Sequence, residues 1–105
     1  MKKILDYINL NFTKEVKNNE LAEIAGYHEY YINRLFIKHT GMSMHKYILN
    51  LRIYESKRLL LNSNIPISEI ATQSGFNSIS HFSAYFKKET GISPSDYRYN
   101  FKNNI

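Results

Sequence analysis

Apolar residues recur along the chain at helical spacing, in short stripes that each stop at a glycine or a polar cluster. Ile4, Leu5, Ile8 and Phe12 form the first stripe and predict an opening helix, with Thr13 to Asn19 as a polar connector behind it. Leu21, Ala22, Ile24 and Ala25 form a second stripe that ends at Gly26, and Ile32, Leu35, Phe36 and His39 a third that ends at Gly41. From Ser43 to Asn62 there is neither glycine nor proline, and Met44, Tyr47, Ile48, Leu51, Leu59 and Leu60 predict one long helix. Asn62-Ser63-Asn64 closes it, and Pro66 stands where a new helix can begin. Ile67, Ile70 and Ala71 then run to Gly75, and Phe82, Tyr85 and Phe86 run to Gly91. The last helix starts at Ser93-Pro94-Ser95-Asp96, a capping pattern with proline in the first helical position. The period is helical throughout, so the expected fold is all-α.

The stripes repeat. Glu20-Leu21-Ala22 recurs as Glu69-Ile70-Ala71 and Gly26-Tyr27 as Gly75-Phe76. After one inserted residue, Phe36, Lys38, Thr40, Gly41, Ser43 and Tyr47 correspond to Phe86, Lys88, Thr90, Gly91, Ser93 and Tyr97. All four glycines fall into two matched pairs, as expected where a chain leaving a helix needs a left-handed residue. A short helix, a turn containing glycine and a second helix make the helix-turn-helix pattern, here in two copies. A scaffold of helical hairpins that binds only other proteins would show similar stripes. Two copies are fewer than a solenoid normally needs, which favours DNA binding over a protein-interaction module.

This organisation predicts a first helix-turn-helix lobe over 1–42, a connector helix over 43–62 and a second lobe over 63–105. A connector of about 20 residues at ~1.5 Å rise spans ~30 Å, close to the ~34 Å between successive major-groove faces. One chain could thus present the second helix of each unit to adjacent major grooves of one duplex.

With Ile32, Leu35, Phe36 and His39 facing inward, the helical period leaves Tyr30, Asn33, Arg34 and Ile37 on the outer face. Asparagine can pair with adenine at two atoms and arginine with guanine, each worth about 1–3 kcal/mol of discrimination. Tyr30 can stack on sugars or meet thymine methyls, while Tyr31 is expected to pack. In the second unit the same projection leaves Ile79, Ser80, Ser83, Ala84 and Lys87 outside. That face has little hydrogen-bonding reach, so the first unit is expected to discriminate and the second to add affinity. His81 can be a helix-flank or a phosphate-contacting group. Phosphate contacts are expected from Lys38, Lys46, Lys87, Lys88 and Arg98. Arg52, within the connector, can instead clamp a carboxylate such as Glu55 or Glu20.

Bulk properties agree with this picture. Fourteen Lys and Arg against nine Asp and Glu give a formal charge of +5, which suits a polyanionic partner. At 105 residues only a modest core is possible, and no large enzyme pocket is expected. His28, His39, His45 and His81 lack metalloprotease spacing, there is no phosphate-binding glycine loop, and nothing calls for a cofactor or a metal. No apolar run approaches a spanning helix, and Met1-Lys2-Lys3-Ile4-Leu5-Asp6 turns polar too soon for a signal peptide. The chain is therefore expected in the cytoplasm, away from membranes. The absence of cysteine excludes disulfides and thiolate metal sites.

The motifs resemble those of the AraC/XylS family of DNA-binding domains from about Ile4 to Arg98. The most diagnostic stretch is Ile67-Ser68-Glu69-Ile70-Ala71, Gly75-Phe76, His81-Phe82-Ser83 and the run from Phe86 to Arg98. Leu21-Ala22-Glu23-Ile24-Ala25-Gly26, Arg34-Leu35-Phe36, Thr40-Gly41-Met42-Ser43 and Leu51-Arg52 match as well. The resemblance implies a seven-helix, two-lobed transcription regulator, often an activator that contacts RNA polymerase at promoter DNA on the nucleoid. It implies base contacts at Tyr30, Asn33 and Arg34 and at Ile79, Ser80, Ser83 and Ala84. Many members carry arginine where Ala84 stands and a basic residue where Ile37 stands, and these two positions depart from the pattern. Members commonly join such a domain to an N-terminal sensory or receiver module, which this chain does not contain. The stretch from Tyr7-Ile8 to Phe12 looks like that of members fused to receivers.

Overall fold

The two Gly-aromatic steps of the repeat close their helices by the same hydrogen bonds. Gly26 adopts a left-handed conformation at φ 75°, and both it and Tyr27 donate their backbone N–H to the Ala22 carbonyl, at 2.9 and 3.1 Å. Gly75, at φ 105°, repeats the closure with Phe76 N–H on the Ala71 carbonyl at 2.9 Å. A left-handed residue followed by a six-residue loop back to the helix is a Schellman stop, and it turns the chain sharply into the next helix.

A computed structural model describes residues 1–102. The helices are α1 (Lys2–Asn11), α2 (Asn18–Ala25), α3 (Glu29–Thr40), α4 (Met44–Asn62), α5 (Ile67–Ser74), α6 (Ile79–Thr90) and α7 (Pro94–Tyr97). The last runs on into a π-helical turn, Arg98–Lys102. The fold is all-α, with the helix-turn-helix pairs α2–α3 and α5–α6 where the sequence placed them. Two compact units divide inside α4, one covering Met1–Leu51 and the other starting at Arg52.

In the first unit, Ile4 and Ile8 of α1, Leu21 and Ala22 of α2, Ile32 and Phe36 of α3, and Met44 and Ile48 of α4 form one buried cluster. The opening helix thus supplies two fully buried side chains to this core. Tyr47 packs edge-on against Phe36, ring centroids 5.1 Å apart, and Tyr7 donates its phenol to Glu20 Oε2 at 2.9 Å, tying α1 to α2. Two side chains of the expected inner stripes lie outside. Ile24 is 39% exposed, because it falls roughly 100° around α2 from the middle of the face made by Leu21, Ala22 and Ala25. His39 is exposed, since it sits in the last turn of α3 where the helix has run past its buried residues.

The second unit is built on rings. Phe76 meets Phe82 at 5.1 Å, Phe82 meets Phe86 at 5.6 Å, Phe86 meets Tyr97 at 5.3 Å and Tyr97 meets Phe101 at 4.9 Å. Each such pair adds about 0.5–1.5 kcal/mol beyond its buried area. Ile53, Leu60, Ile70 and Ala71 are buried in this unit as well.

A threonine explains another part of the repeat. Thr40 Oγ1 lies 2.7 Å from the Phe36 carbonyl and accepts from Met42 N at 3.3 Å; Thr90 does the same with Phe86 and Ile92, at 2.8 and 3.4 Å. The hydroxyl links the last turn of the helix to the chain beyond its glycine, so Thr-Gly acts as one stop.

Candidate nucleic-acid interface

Each second helix of the helix-turn-helix pairs is capped at its start and presents an exposed outer face. α3 begins behind His28, whose Nδ1 accepts the Tyr30 backbone N–H at 3.1 Å. α6 begins behind Ser78, whose Oγ accepts from His81 N at 3.0 Å. The last turns carry Lys38 and His39 in one case and Lys87 and Lys88 in the other, which favours both C-terminal dipoles.

With Ile32 and Phe36 fully buried, α3 exposes Tyr30, Arg34 and Lys38 at successive four-residue steps, one stripe along the helix. Tyr30 is 69% exposed. The equivalent stripe of α6 is Ser80, Ala84 and Lys88, also exposed. One helix therefore offers an aromatic ring, a guanidinium and an ammonium where the other offers a hydroxyl, a methyl and an ammonium. Ile79 is 46% and Ile37 45% exposed, Lys87 is open to solvent, and Ser83 is half-buried against its unit.

Three candidates sit differently from the projection. Tyr31 is 52% exposed and meets other rings of the surface, Tyr30 at 5.5 Å and His28 at 6.4 Å. Asn33 is exposed, yet its Oδ1 accepts the Met44 backbone N–H at 3.2 Å. Pairing with adenine at two atoms needs Oδ1 and Nδ2 on the base together, and here Oδ1 is turned to the start of α4. Arg98 points its guanidinium at the end of α4, donating from Nε to the Leu60 carbonyl at 3.1 Å and from Nη2 to the Ser63 carbonyl at 3.3 Å. Those two bonds make it a clamp on the end of α4.

Lys46 is exposed in the first turn of α4, where Ser43 Oγ accepts its backbone N–H at 3.1 Å. His81 leans edge-on against Phe76, centroids 5.5 Å apart, and so takes the helix-flank role. Arg52 is half-buried in the middle of α4. Burial pulls the Arg52 guanidinium below its ordinary range. Sequence reading missed three contacts: the His28 cap, the Asn33 bond and the Arg98 clamp. Only the first had a local signal, since His28 stands where the repeat has the capping residue Ser78.

Among the described residues no helix is long and apolar enough to cross a membrane, and no group of side chains is arranged to hold a metal ion.

A family model described as a helix-turn-helix domain matches residues 21–100. The chain is 37% identical over 92 residues to the uncharacterized HTH-type transcriptional regulator YobQ of Bacillus subtilis, covering 88% of this chain and 38% of that protein. It is 36% identical over 95 residues to the HTH-type transcriptional activator AarP of Providencia stuartii, covering 90% of this chain and 70% of that one. Among solved structures, the C-terminal domain of the two-component response regulator yesN from Fusobacterium nucleatum superposes with a TM-score of 0.84 at 31% identity. That match covers 90% of this chain and 93% of the other. The chain thus spans less than half the length of YobQ but most of AarP. With its doubled helix-turn-helix, matched capping and exposed second helices, the chain belongs to the AraC/XylS family of transcriptional regulators, as a DNA-binding domain.

Proposed function

We propose that the chain reads promoter DNA by inserting α3 and α6 into adjacent major grooves, with α3 as the principal reader. The observation that carries this reading is the exposed Tyr30, Arg34 and Lys38 stripe on a helix whose Ile32 and Phe36, on the opposite side, are fully buried. Arg34 suits the O6 and N7 edge of guanine, Tyr30 suits a sugar or a thymine methyl, and Lys38 suits a phosphate. In the second unit, Ile79, Ser80, Ser83 and Ala84 face bases with apolar or weakly polar contacts, while Lys87 and Lys88 hold phosphates. Lys46, at the start of α4, is a further phosphate contact of the first unit. The domain boundaries that go with this reading are a first lobe over 1–42, a connector over 43–62 and a second lobe over 63–105.

The chain acts by binding rather than by catalysis, in the cytoplasm at the nucleoid. In the whole protein an N-terminal sensory or receiver module controls it, a reading supported by the likeness to the C-terminal domain of a response regulator. The output is activation through contact with RNA polymerase, supported by the likeness to a named activator. A salt series of binding to duplex DNA tests the core of this reading. Affinity is expected to fall steeply as salt rises, since each phosphate contact releases counterions. A helical protein-interaction module would show no appreciable DNA binding at any salt.

A further inference from the structure

Met44 and Pro94 occupy equivalent places in the two units, each the first residue of a helix that follows a capping serine. Ser43 Oγ accepts from Lys46 N at 3.1 Å and its carbonyl from Tyr47 N at 3.0 Å. Ser93 does the same with Asp96 N at 3.1 Å and Tyr97 N at 2.9 Å. The next backbone position differs. Pro94 has no N–H, so nothing there needs an acceptor. Met44 does have one, at the end of a helix where intrahelical partners run out, and its side chain is buried. The acceptor arrives from α3: Asn33 Oδ1, at 3.2 Å. In the second unit the residue equivalent to Asn33 is Ser83, whose side chain is shorter. The two differences between the copies thus belong together. Where the helix start has a donor, the preceding helix carries an asparagine, and where it has none, a serine is enough.

We propose that Asn33 is a positioning residue, a strut that fixes the recognition helix α3 against the start of α4, and not a reader of bases. The bond joins a residue in the first half of α3 to the first residue of α4. The side chains that reach a groove, Tyr30 and Arg34, flank Asn33 on the same helix. Losing the strut lets the whole reading face shift, so the effect spreads over every base pair that face contacts. Losing a reader affects one base pair.

This inference rests on the DNA-reading role of α3, and the test separates the two. Asn33→Ala removes the acceptor. Asn33→Asp keeps it, and its charge suits a helix N-terminus, but it cannot donate to adenine N7. Asn33 is solvent-exposed, so both variants are expected to fold. In the free chain, amide hydrogen exchange at Met44 is expected to speed up about fivefold in Asn33→Ala, the size of one ordinary hydrogen bond, and to stay protected in Asn33→Asp. This arm needs no DNA and stands even if the chain fails to bind it. Unchanged Met44 exchange in Asn33→Ala would overturn the strut. In sequences selected from a random duplex pool, Asn33→Asp is expected to keep the wild-type ranking of bases, and Asn33→Ala to flatten all the preferences of the first unit together. Loss of preference at a single base pair in both variants would make Asn33 a reader and overturn the proposal.

Discussion

Arg98 reaches back to Leu60, its Nε 3.1 Å from a carbonyl 38 residues earlier in the chain. Leu60 lies in the last turn of α4, where carbonyls lack intrahelical partners, and Arg98 also serves the Ser63 carbonyl. Lys102 joins it there, donating to Ser63 and Asn64. Cations at a helix C-terminus complement its dipole as well as its hydrogen bonds. Arg98→Ala is expected to lower stability by about 1.5–3 kcal/mol, the range for hydrogen bonds to charged groups. Arg98→Lys should recover little, because an ammonium cannot span two carbonyls as a planar fork does. Urea unfolding checks both. A phosphate-binding Arg98 would instead leave stability unchanged and reduce the salt dependence of DNA binding.

Gly91 stands at φ 88°, and a Cβ built there meets nothing within 4 Å. The cost of Gly91→Ala is therefore backbone strain alone, about 1–2 kcal/mol. Gly91→Asn should cost less, since asparagine tolerates the left-handed region. Thermal unfolding of the two variants gives the order, and equal costs would argue against strain as the cause.

Arg34 and Lys38 share a stripe but are expected to fail differently. Arg34→Ala should reduce preference for the selected site over random duplex by about 1–3 kcal/mol. Lys38→Ala should weaken both alike and lower the slope of log affinity against log salt by about 0.9. Competition binding at several salt concentrations distinguishes them, and identical behaviour would reassign Arg34 to the phosphates.

The Tyr7 phenol is raised above its ordinary 10.0, first by its hydrogen bond to Glu20, then by burial and by the Glu20 charge. A raised folded pKa means that this contribution to stability is complete below pH about 10 and is lost as pH rises through the folded value. Tyr85 shifts the same way, through burial and Glu89. Tyr7→Phe is therefore expected to lower stability near neutral pH and to make the alkaline loss shallower. An alkaline limb as steep as that of the wild type would show that Tyr7 contributes nothing to it.

The helices and the doubled architecture were legible in the sequence because they rest on local physics. Apolar spacing, Gly26, Gly75 and the Ser93-Pro94 start each act within one turn of chain. Site residues were legible where exposure follows from the helical period, as with Tyr30 and Arg34. They were not where a side chain reaches another element. Asn33 and Arg98 look like DNA contacts by residue type and position, and only the distances to Met44 and Leu60 show what else they hold. Tyr31, expected to pack, does so against surface rings, which a projection of one helix cannot show.

Selection of bound sequences from a random duplex pool tests the central claim most directly. The account predicts an enriched site with two blocks roughly one helical turn, about 10.5 base pairs, apart. One block should be strongly preferred, with guanine opposite Arg34, and the other weakly preferred, opposite α6. Enrichment of no sequence, or of a single block with no second preference a turn away, would contradict it.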